Sequence, residues 1–270
     1  MWLNVPMPSF KISYSNENLK ADAETLAAKL GLGLQGSSGD EKVLPKADYL
    51  LTFKPSGLCL ESTQQGGHGP IRCDFDSGII THRRKYGGGN GQSIAKAVGI
   101  SGKFMPHVLD LTAGMGSDGF VLAGLGCRLT LLERNSIVYS LLYDGLQRAS
   151  LAGMGDSGLA EVVARIDLLE ADSLTYLQSL ESAQLPDVIY IDPMFPARKK
   201  SAKVKKEMQV FHGIVGADED AAELLVLALQ RAKYRVVVKR SAAAGHLGEM
   251  APSYSREGKT TRFDVYALHR

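Results

Sequence analysis

The stretch Leu109–Phe120, LDLTAGMGSDGF, carries a G-x-G-x-x-G spacing at Gly114, Gly116 and Gly119. Its first half, HVLDLTAG, reads as a buried strand that ends in glycine. Its second half opens a short helix from Asp118 to Leu125, which Gly126 stops. Strand, glycine loop and helix in that order form the phosphate-cradling fingerprint of dinucleotide enzymes. The same spacing serves other nucleotide-derived ligands, so the neighbours of the loop must decide what it holds.

Outward from this loop the chain alternates. CRLTLLER is a second strand and SIVYSLLYDGLQRASLAG a second helix. RIDLLEADS, PDVIYIDPMFP and YRVVVKR are further strands, separated by the helices SLTYLQSLESA and DEDAAELLVLALQRA, and KTTRFDVYALHR is a last strand. The acidic start of DEDAAELLVLALQRA suits the positive end of the helix dipole. Strands alternating with helices predict an α/β fold with a mostly parallel sheet covered on both faces. Residues 1–85 differ from this pattern. Leu19, Ala23, Leu26, Ala27 and Leu30 share one helical face, and KADYLLTFKPSGLCLES gives two short strands about Pro55-Ser56-Gly57. We expect a small N-terminal α+β domain over 1–85 and a Rossmann-like domain over 86–270. The glycine-rich HRRKYGGGNGQS joins them.

Composition bounds the function. The chain has 270 residues, 44% of them hydrophobic, which suffices for a substantial core. A net charge of +2 excludes a polyelectrolyte, though local clusters can still build a basic face. Cys59, Cys73 and Cys127 are scattered and odd in number, so neither a disulfide framework nor a cysteine-based zinc site is expected, as suits a reducing cytoplasm. The six histidines show no H-x-x-x-H spacing, and no metal is expected. MWLNVPMPSF lacks the pattern of a signal peptide. No apolar run approaches the roughly 20 residues that span a bilayer, so no membrane association is expected.

Ligands of such sheets bind at the carboxyl ends of the strands. There the chain places acids: Asp110 before the glycine loop, Asp118 after it, Glu133-Arg134 on the second strand, Asp172-Ser173 on the third and Asp192 on the fourth. A pyrophosphate beside Asp118 is disfavoured, because like charges about 4 Å apart cost about 4 kcal/mol at an effective dielectric near 20. The set suits a cofactor with an ammonium and a sulfonium and no phosphate, which is S-adenosylmethionine. Gly114 and Gly116 then let backbone approach it closely, with Ser117 beside them. Glu133 can accept from ribose hydroxyls, and Asp172 from the adenine amine. Turns and helix caps use the same residue types, and that reading stands beside this one. An NAD(P)-dependent oxidoreductase remains the alternative on the glycine spacing alone.

IDPMFP resembles the D-P-P-[FY] signature of methyltransferases that act on exocyclic amines of bases, with Met194 in place of the second proline. A carboxylate that accepts N–H bonds positions such an amine, and an aromatic ring stacks on its base. Asp192 and Phe195 are the candidate catalytic residues. ARKKSAKVKKEM follows at once, with Arg198, Lys199, Lys200, Lys203, Lys205 and Lys206. With Arg83, Arg84 and Lys85 of the joint, these are candidate RNA phosphate contacts.

Taken together, DLTAGMGSDGFVLAGLGCRLTLLERN, the Asp192–Phe195 motif with its lysine-rich sequel, VVVKR and HRRKYGGGNGQSIAKAVGI resemble the bacterial ribosomal RNA small-subunit methyltransferase J family. The resemblance runs from about His82 onward and more loosely through the N-terminal unit. It implies a class I S-adenosylmethionine-dependent methyltransferase fold with a seven-stranded sheet. It also implies methylation of guanine N2 in 16S ribosomal RNA, naked or within the small subunit, with another nucleic-acid base as the alternative target. Carried over by motif, cofactor contacts fall on Ser117 and Asp118, Glu133 and Arg134, Asp172 and Ser173, and Asp192. The family often has arginine where this chain has Ser117.

Overall fold

The computed structural model describes residues 8–36, 47–64, 67–75, 92–194, 214, 218, 220–258 and 260–268. The described residues divide into two compact units: the smaller takes those up to Cys73 together with Ile214, the larger those from Asp74 to Met194 and from Asp218 onward.

The smaller unit starts from a short apolar strand. β1 (Phe10–Tyr14) buries Ile12 and Tyr14 and lies between β2 (Gly33–Gln35) and β3 (Tyr49–Lys54), parallel to both. Helix α1 (Lys20–Leu30) turns Ala23 and Ala27 inward, on the apolar face expected from their spacing. It ends where Gly31 adopts φ +64°, a conformation that costs glycine nothing sterically. β3 then pairs antiparallel with β4 (Gly57–Ser62), with Lys54 opposite Gly57, so that Pro55 and Ser56 form the turn. β1 and β2 were not expected from the sequence. β2 has three residues, too few to show a period.

The larger unit runs α2 (Ser93–Val98), β5 (His107–Asp110), α3 (Ser117–Gly124), β6 (Arg128–Glu133), α4 (Ser136–Gly153), α5 (Ser157–Val163), β7 (Ile166–Glu170), α6 (Ser173–Ser179), β8 (Val188–Ile191), α7 (Ala221–Arg231), β9 (Arg235–Ser241), β10 (Tyr254–Glu257) and β11 (Thr261–Ala267). Its seven strands lie in the order β10-β11-β9-β8-β5-β6-β7. Strands β9 to β7 in that order are parallel, and β11 and β10 are antiparallel additions at one edge. Central strands buried on both faces should be apolar without alternation. Val188, Ile189, Tyr190 and Ile191 of β8 and Val236, Val237 and Val238 of β9 are accordingly fully buried. Each apolar side chain of this kind contributes roughly 1.5–3 kcal/mol on leaving water.

The order reverses at β5. The chain winds from β5 out through β6 to β7, then returns to lay β8 on the other side of β5. Two loops therefore diverge from the carboxyl ends of β5 and β8, which makes the crevice where open α/β sheets bind ligands. Register aligns what enters it. Asp110 pairs with Tyr190, and Ile191 with Val238, so Asp192 and Lys239 each lie one residue beyond the last pairing of β8 with β9, Lys239 still paired with Phe263 of β11.

Helices α2 and α5 and strand β10 were also absent from the sequence reading. α5 is a short helix capped by Asp156, whose carboxylate accepts from Leu159 N–H. β10 reads YSRE, mostly exposed, and its pairing with β11 rather than an apolar pattern holds it in the sheet. α4, in contrast, has the bounds its periodicity suggested. Its N-cap Asn135 accepts from the N–H groups of Ile137 and Val138. Replacing Asn135 by Ala leaves those donors without their cap and should lower stability by about 1 kcal/mol. The expected sign is a lower denaturant midpoint at unchanged slope.

Candidate methyl-donor and amine site

The glycine loop is fixed by buried acids at the two strand ends beside it. Asp110 is 2% exposed, and its Oδ1 accepts from the Thr112 N–H at 3.0 Å and the Thr112 hydroxyl at 3.4 Å. The same hydroxyl oxygen accepts from the Asp192 N–H at 2.7 Å. Thr112 thus ties the loop after β5 to the loop after β8. Glu133 is also buried; one carboxylate oxygen accepts from Gly114 N–H at 2.9 Å and the other from Asn135 N–H at 2.8 Å. Burial raises the Glu133 carboxyl above its ordinary range, and the two N–H bonds oppose that rise.

Gly114 and Gly116 have φ +53° and +70°, which strongly favours glycine. A Cβ on Gly116 would stand 2.6 Å from Leu142 Cδ1 and 3.2 Å from Phe75 Cζ, so close packing excludes a side chain there. A Cβ on Gly114 would meet only Thr112 O, at 3.9 Å. The loop is therefore packed tightly beneath Gly116 and open above Gly114. Ser117, exposed, starts α3.

The acids of the rim do not stand alone. Asp118 Oδ2 accepts from the Tyr190 hydroxyl at 2.7 Å and from Lys239 Nζ at 2.7 Å. Lys239 Nζ also donates to Asp192 Oδ2 at 2.8 Å. The acids expected at the strand ends are joined by a cation that the sequence reading did not include: one internal ammonium lies between two of them. Tyr190 is fully buried, and burial with nearby carboxylates holds its phenol well above its usual range, so it acts as the donor. Burial also raises the Asp192 carboxyl, while Lys239 pulls it back down. Its side chain keeps 39% of its surface open to water, enough for a ligand to reach it.

Arg134 is held between Asp218 and Asp220. Asp218 Oδ2 further accepts from Met194 N–H at 2.7 Å, which anchors the Asp192-Pro193-Met194 run. The acidic lead of α7, expected to suit the helix dipole, also clamps a guanidinium and this loop. Asp172 caps α6 through Thr175, whose N–H and hydroxyl both donate to Oδ1 at 2.9 Å, and these bonds hold its carboxyl below the usual range. Ser173 is buried and donates to Leu111 O at 2.6 Å, locking the third strand end to the first.

The structure thus brings Asp110, Gly114, Gly116, Ser117, Asp118, Glu133 and Asp192 to adjacent strand ends and the loops that leave them. Phe195, Arg83, Arg84, Lys85, Arg198, Lys199, Lys200, Lys203, Lys205 and Lys206 lie outside the described residues. Lys239, Tyr190, Thr112 and Asp218 were missed by sequence reasoning. Lys239 had a usable signal, since it directly follows the apolar run Val236-Val237-Val238 in the strand beside β8. Among the described residues no group of three or more His, Cys, Asp or Glu could hold a metal ion. Among them, too, no helix is long and apolar enough to cross a membrane.

A family model described as "Putative SAM-dependent methyltransferase" matches residues 40–268. The chain is similar to Ribosomal RNA small subunit methyltransferase J of Cellvibrio japonicus, 50% identical over 245 residues, covering 90% of this chain and 92% of the relative. The protein of the same name from Thioalkalivibrio sulfidiphilus is 47% identical over 255 residues, covering 94% and 96%. Among solved structures, a SAM-dependent methyltransferase from Neisseria gonorrhoeae matches with a TM-score of 0.69 at 35% identity over 95% of both chains.

Burial, with Asp118 and Asp192 nearby, pushes the Asp110 carboxyl up to about 7. An unfolded aspartate titrates near 3.9, so the native state holds this proton more tightly. The contribution to stability is complete below about pH 4 and is lost as pH rises through about 7. Asp110→Asn keeps the acceptor for Thr112 and removes the titration. The stability of the wild type should fall between pH 5 and pH 8 more than that of the variant, by about 1.4 kcal/mol for each pH unit over which only the folded chain carries the proton. Glu133 adds a slope of the same sign, so the variant slope is reduced rather than abolished. Equal slopes in urea unfolding across that range would show that Asp110 stays ionised.

Proposed function

The chain belongs to the ribosomal RNA small subunit methyltransferase J family, a family of S-adenosylmethionine-dependent methyltransferases, and we propose on that premise that it methylates the exocyclic N2 amine of a guanine in 16S ribosomal RNA. One observation carries the reading. The Asp192 N–H is bonded to Thr112 at 2.7 Å, so the amine-recognition motif after β8 is tied to the glycine loop after β5. Donor and acceptor sites at that switch point would then be neighbours.

The residues fit the methyl donor. Gly114 is open where a ligand would approach the loop. Asp118 and Asp192 already share an ammonium, so this donor set suits a cation. The backbone of Gly114, Gly116 and Ser117, with Asp110, Asp118, Glu133, Arg134, Asp172, Ser173 and Asp192, would hold the cofactor. When bound, it supplies a methyl group on a sulfonium, electrophilic enough for direct transfer to nitrogen.

The remaining work is positioning. The guanine enters unstacked from its strand. Asp192 accepts an N–H of its amine, which turns the nitrogen lone pair towards the donor, and Phe195 stacks on the ring. No covalent bond to the protein forms. After transfer the nitrogen carries one proton too many, and Asp192 or a water beside it takes that proton. Arg198, Lys199, Lys200, Lys203, Lys205 and Lys206, with Arg83, Arg84 and Lys85, would contact RNA phosphates. A cytoplasmic location follows from a ribosomal substrate.

Asp192→Ala should abolish transfer of labelled methyl to small-subunit RNA while RNA affinity changes less than threefold. Retained transfer would remove Asp192 from the mechanism. Neutralising Lys199, Lys200, Lys203, Lys205 and Lys206 together should weaken RNA binding and flatten its dependence on salt concentration, by up to roughly 0.7–0.9 in log–log slope for each phosphate that is no longer neutralised. A slope equal to that of the wild type would place the phosphate contacts elsewhere.

A further inference from the structure

Lys239 stands on β9, one residue past the pairing of Val238 with Ile191. Its ammonium lies 2.7 Å from Asp118 Oδ2 and 2.8 Å from Asp192 Oδ2. The two acids belong to different elements, the first turn of α3 and the end of β8, and lie no more than about two hydrogen bonds apart. Asp118 is itself oriented from a third direction, by the buried Tyr190 hydroxyl at 2.7 Å. A lysine head has three donors and no acceptor. Two of those donors serve these carboxylates, so the ammonium is a junction between the glycine-loop helix and the amine motif.

The charges around Asp192 show what the junction does. Facing it are Asp118 on α3, Asp110 at the end of β5, Tyr190 on β8, Asp218 ahead of α7, and Lys239 on β9. Apart from Lys239, each of these is an acid or a neutral phenol. An ionised carboxylate accepts an amine N–H more strongly than a neutral carboxyl, and in this company protonation is the easier state. With Lys239 on Oδ2, a proton on Asp192 would sit on the remaining oxygen, where an acceptor is required. Asp192 can also rotate about its side chain unless one oxygen is fixed.

We propose that Lys239 is a positioning residue for methyl transfer: its ammonium, anchored by Asp118, keeps the Asp192 carboxylate ionised and fixes one of its oxygens, leaving the other for the target amine. The inference rests on the role given to Asp192 in the proposed function. It adds a residue outside both the glycine loop and the amine motif, contributed by the fifth strand of the parallel set.

Replacement by Gln tests the charge, because Gln still donates hydrogen bonds to the two acids. Replacement by Met removes donors and charge together. Both variants should lower kcat at pH 7 by about 100-fold with KM for RNA changed less than threefold, and Lys239→Arg should recover at least tenfold of the loss. In K239Q the acid limb of the kcat profile should move to higher pH by a unit or more, so that part of the activity returns at pH 9. A second readout needs no methyl donor. With carboxyl-labelled aspartate, the Asp192 resonance, assigned by its absence from D192N, should titrate at higher pH in K239Q than in the wild type. A purely structural lysine would leave the acid limb and that titration in place, and this result overturns the proposal, as does wild-type kcat in K239Q. Its failure is distinct from failure of the amine assignment: there Asp192→Ala itself stays active, whereas here Asp192→Ala is inactive and K239Q is not impaired. If neither Gln nor Met yields folded protein, Asp118→Asn, which weakens the anchor and keeps an acceptor for Tyr190, should move the Asp192 titration to higher pH, against the downward shift that loss of a neighbouring negative charge alone would give. A titration unmoved or moved to lower pH in that variant also overturns the proposal.

Discussion

One ammonium shared by two carboxylates organises the carboxyl edge of the larger sheet. Lys239 reaches Asp118 and Asp192 at hydrogen-bond distance, and each acid has a second tie to the fold: Asp118 to a buried phenol that donates to the same oxygen, Asp192 through its backbone N–H to Thr112. Without that cation, Asp110, Asp118 and Asp192 would crowd like charges into a poorly solvated crevice, where burial already pushes Asp110 up to about 7. Their geometry depends on strand register, because β8 and β9 are aligned so that Asp192, just past the end of β8, lies beside Lys239, which is still within β9.

The rest of the rim follows from the same matching of donors and acceptors. Glu133 uses both oxygens on backbone N–H groups that shape the glycine loop and the start of α4. Ser173 and Thr112 bond loops of neighbouring strands together. Arg134 and Met194 are fixed by the acids that precede α7. Several residues first singled out as ligand contacts thus also hold the loops in shape. The two roles are compatible, since a carboxylate has about four acceptor sites and the bonds described use one or two of them on each group. Membership of a methyltransferase family over residues 40–268 also settles the rivalry that the glycine spacing left open, against an oxidoreductase.

Much of this was legible in the chain before any coordinates. Strands β5, β6, β8 and β9 announced themselves by short, mostly apolar runs, and α4 as an 18-residue periodic stretch bounded by Asn135 and Gly153. The glycine loop and the acids at strand ends were readable because the strand-end rule converts sequence position into spatial position. Short or polar elements were not. β2, α5 and β10 lack the length or the apolar alternation that local reading needs, and they exist because a neighbour supplies their pairing or a single cap starts them.

Local chemistry therefore determined the element types, the parallel architecture, the place of the crevice and the identity of its acids, since each depends on residues close in sequence. The tertiary structure decided what those acids face. Asp118, Tyr190, Asp192 and Lys239 lie up to 121 residues apart and meet only because the register of β8 and β9 brings the end of β8 and the later part of β9 to one helix start. A glycine spacing is a property of the chain. The charge balance above it is a property of the sheet, because a hydrogen bond depends on distances of a few ångströms that only packing sets.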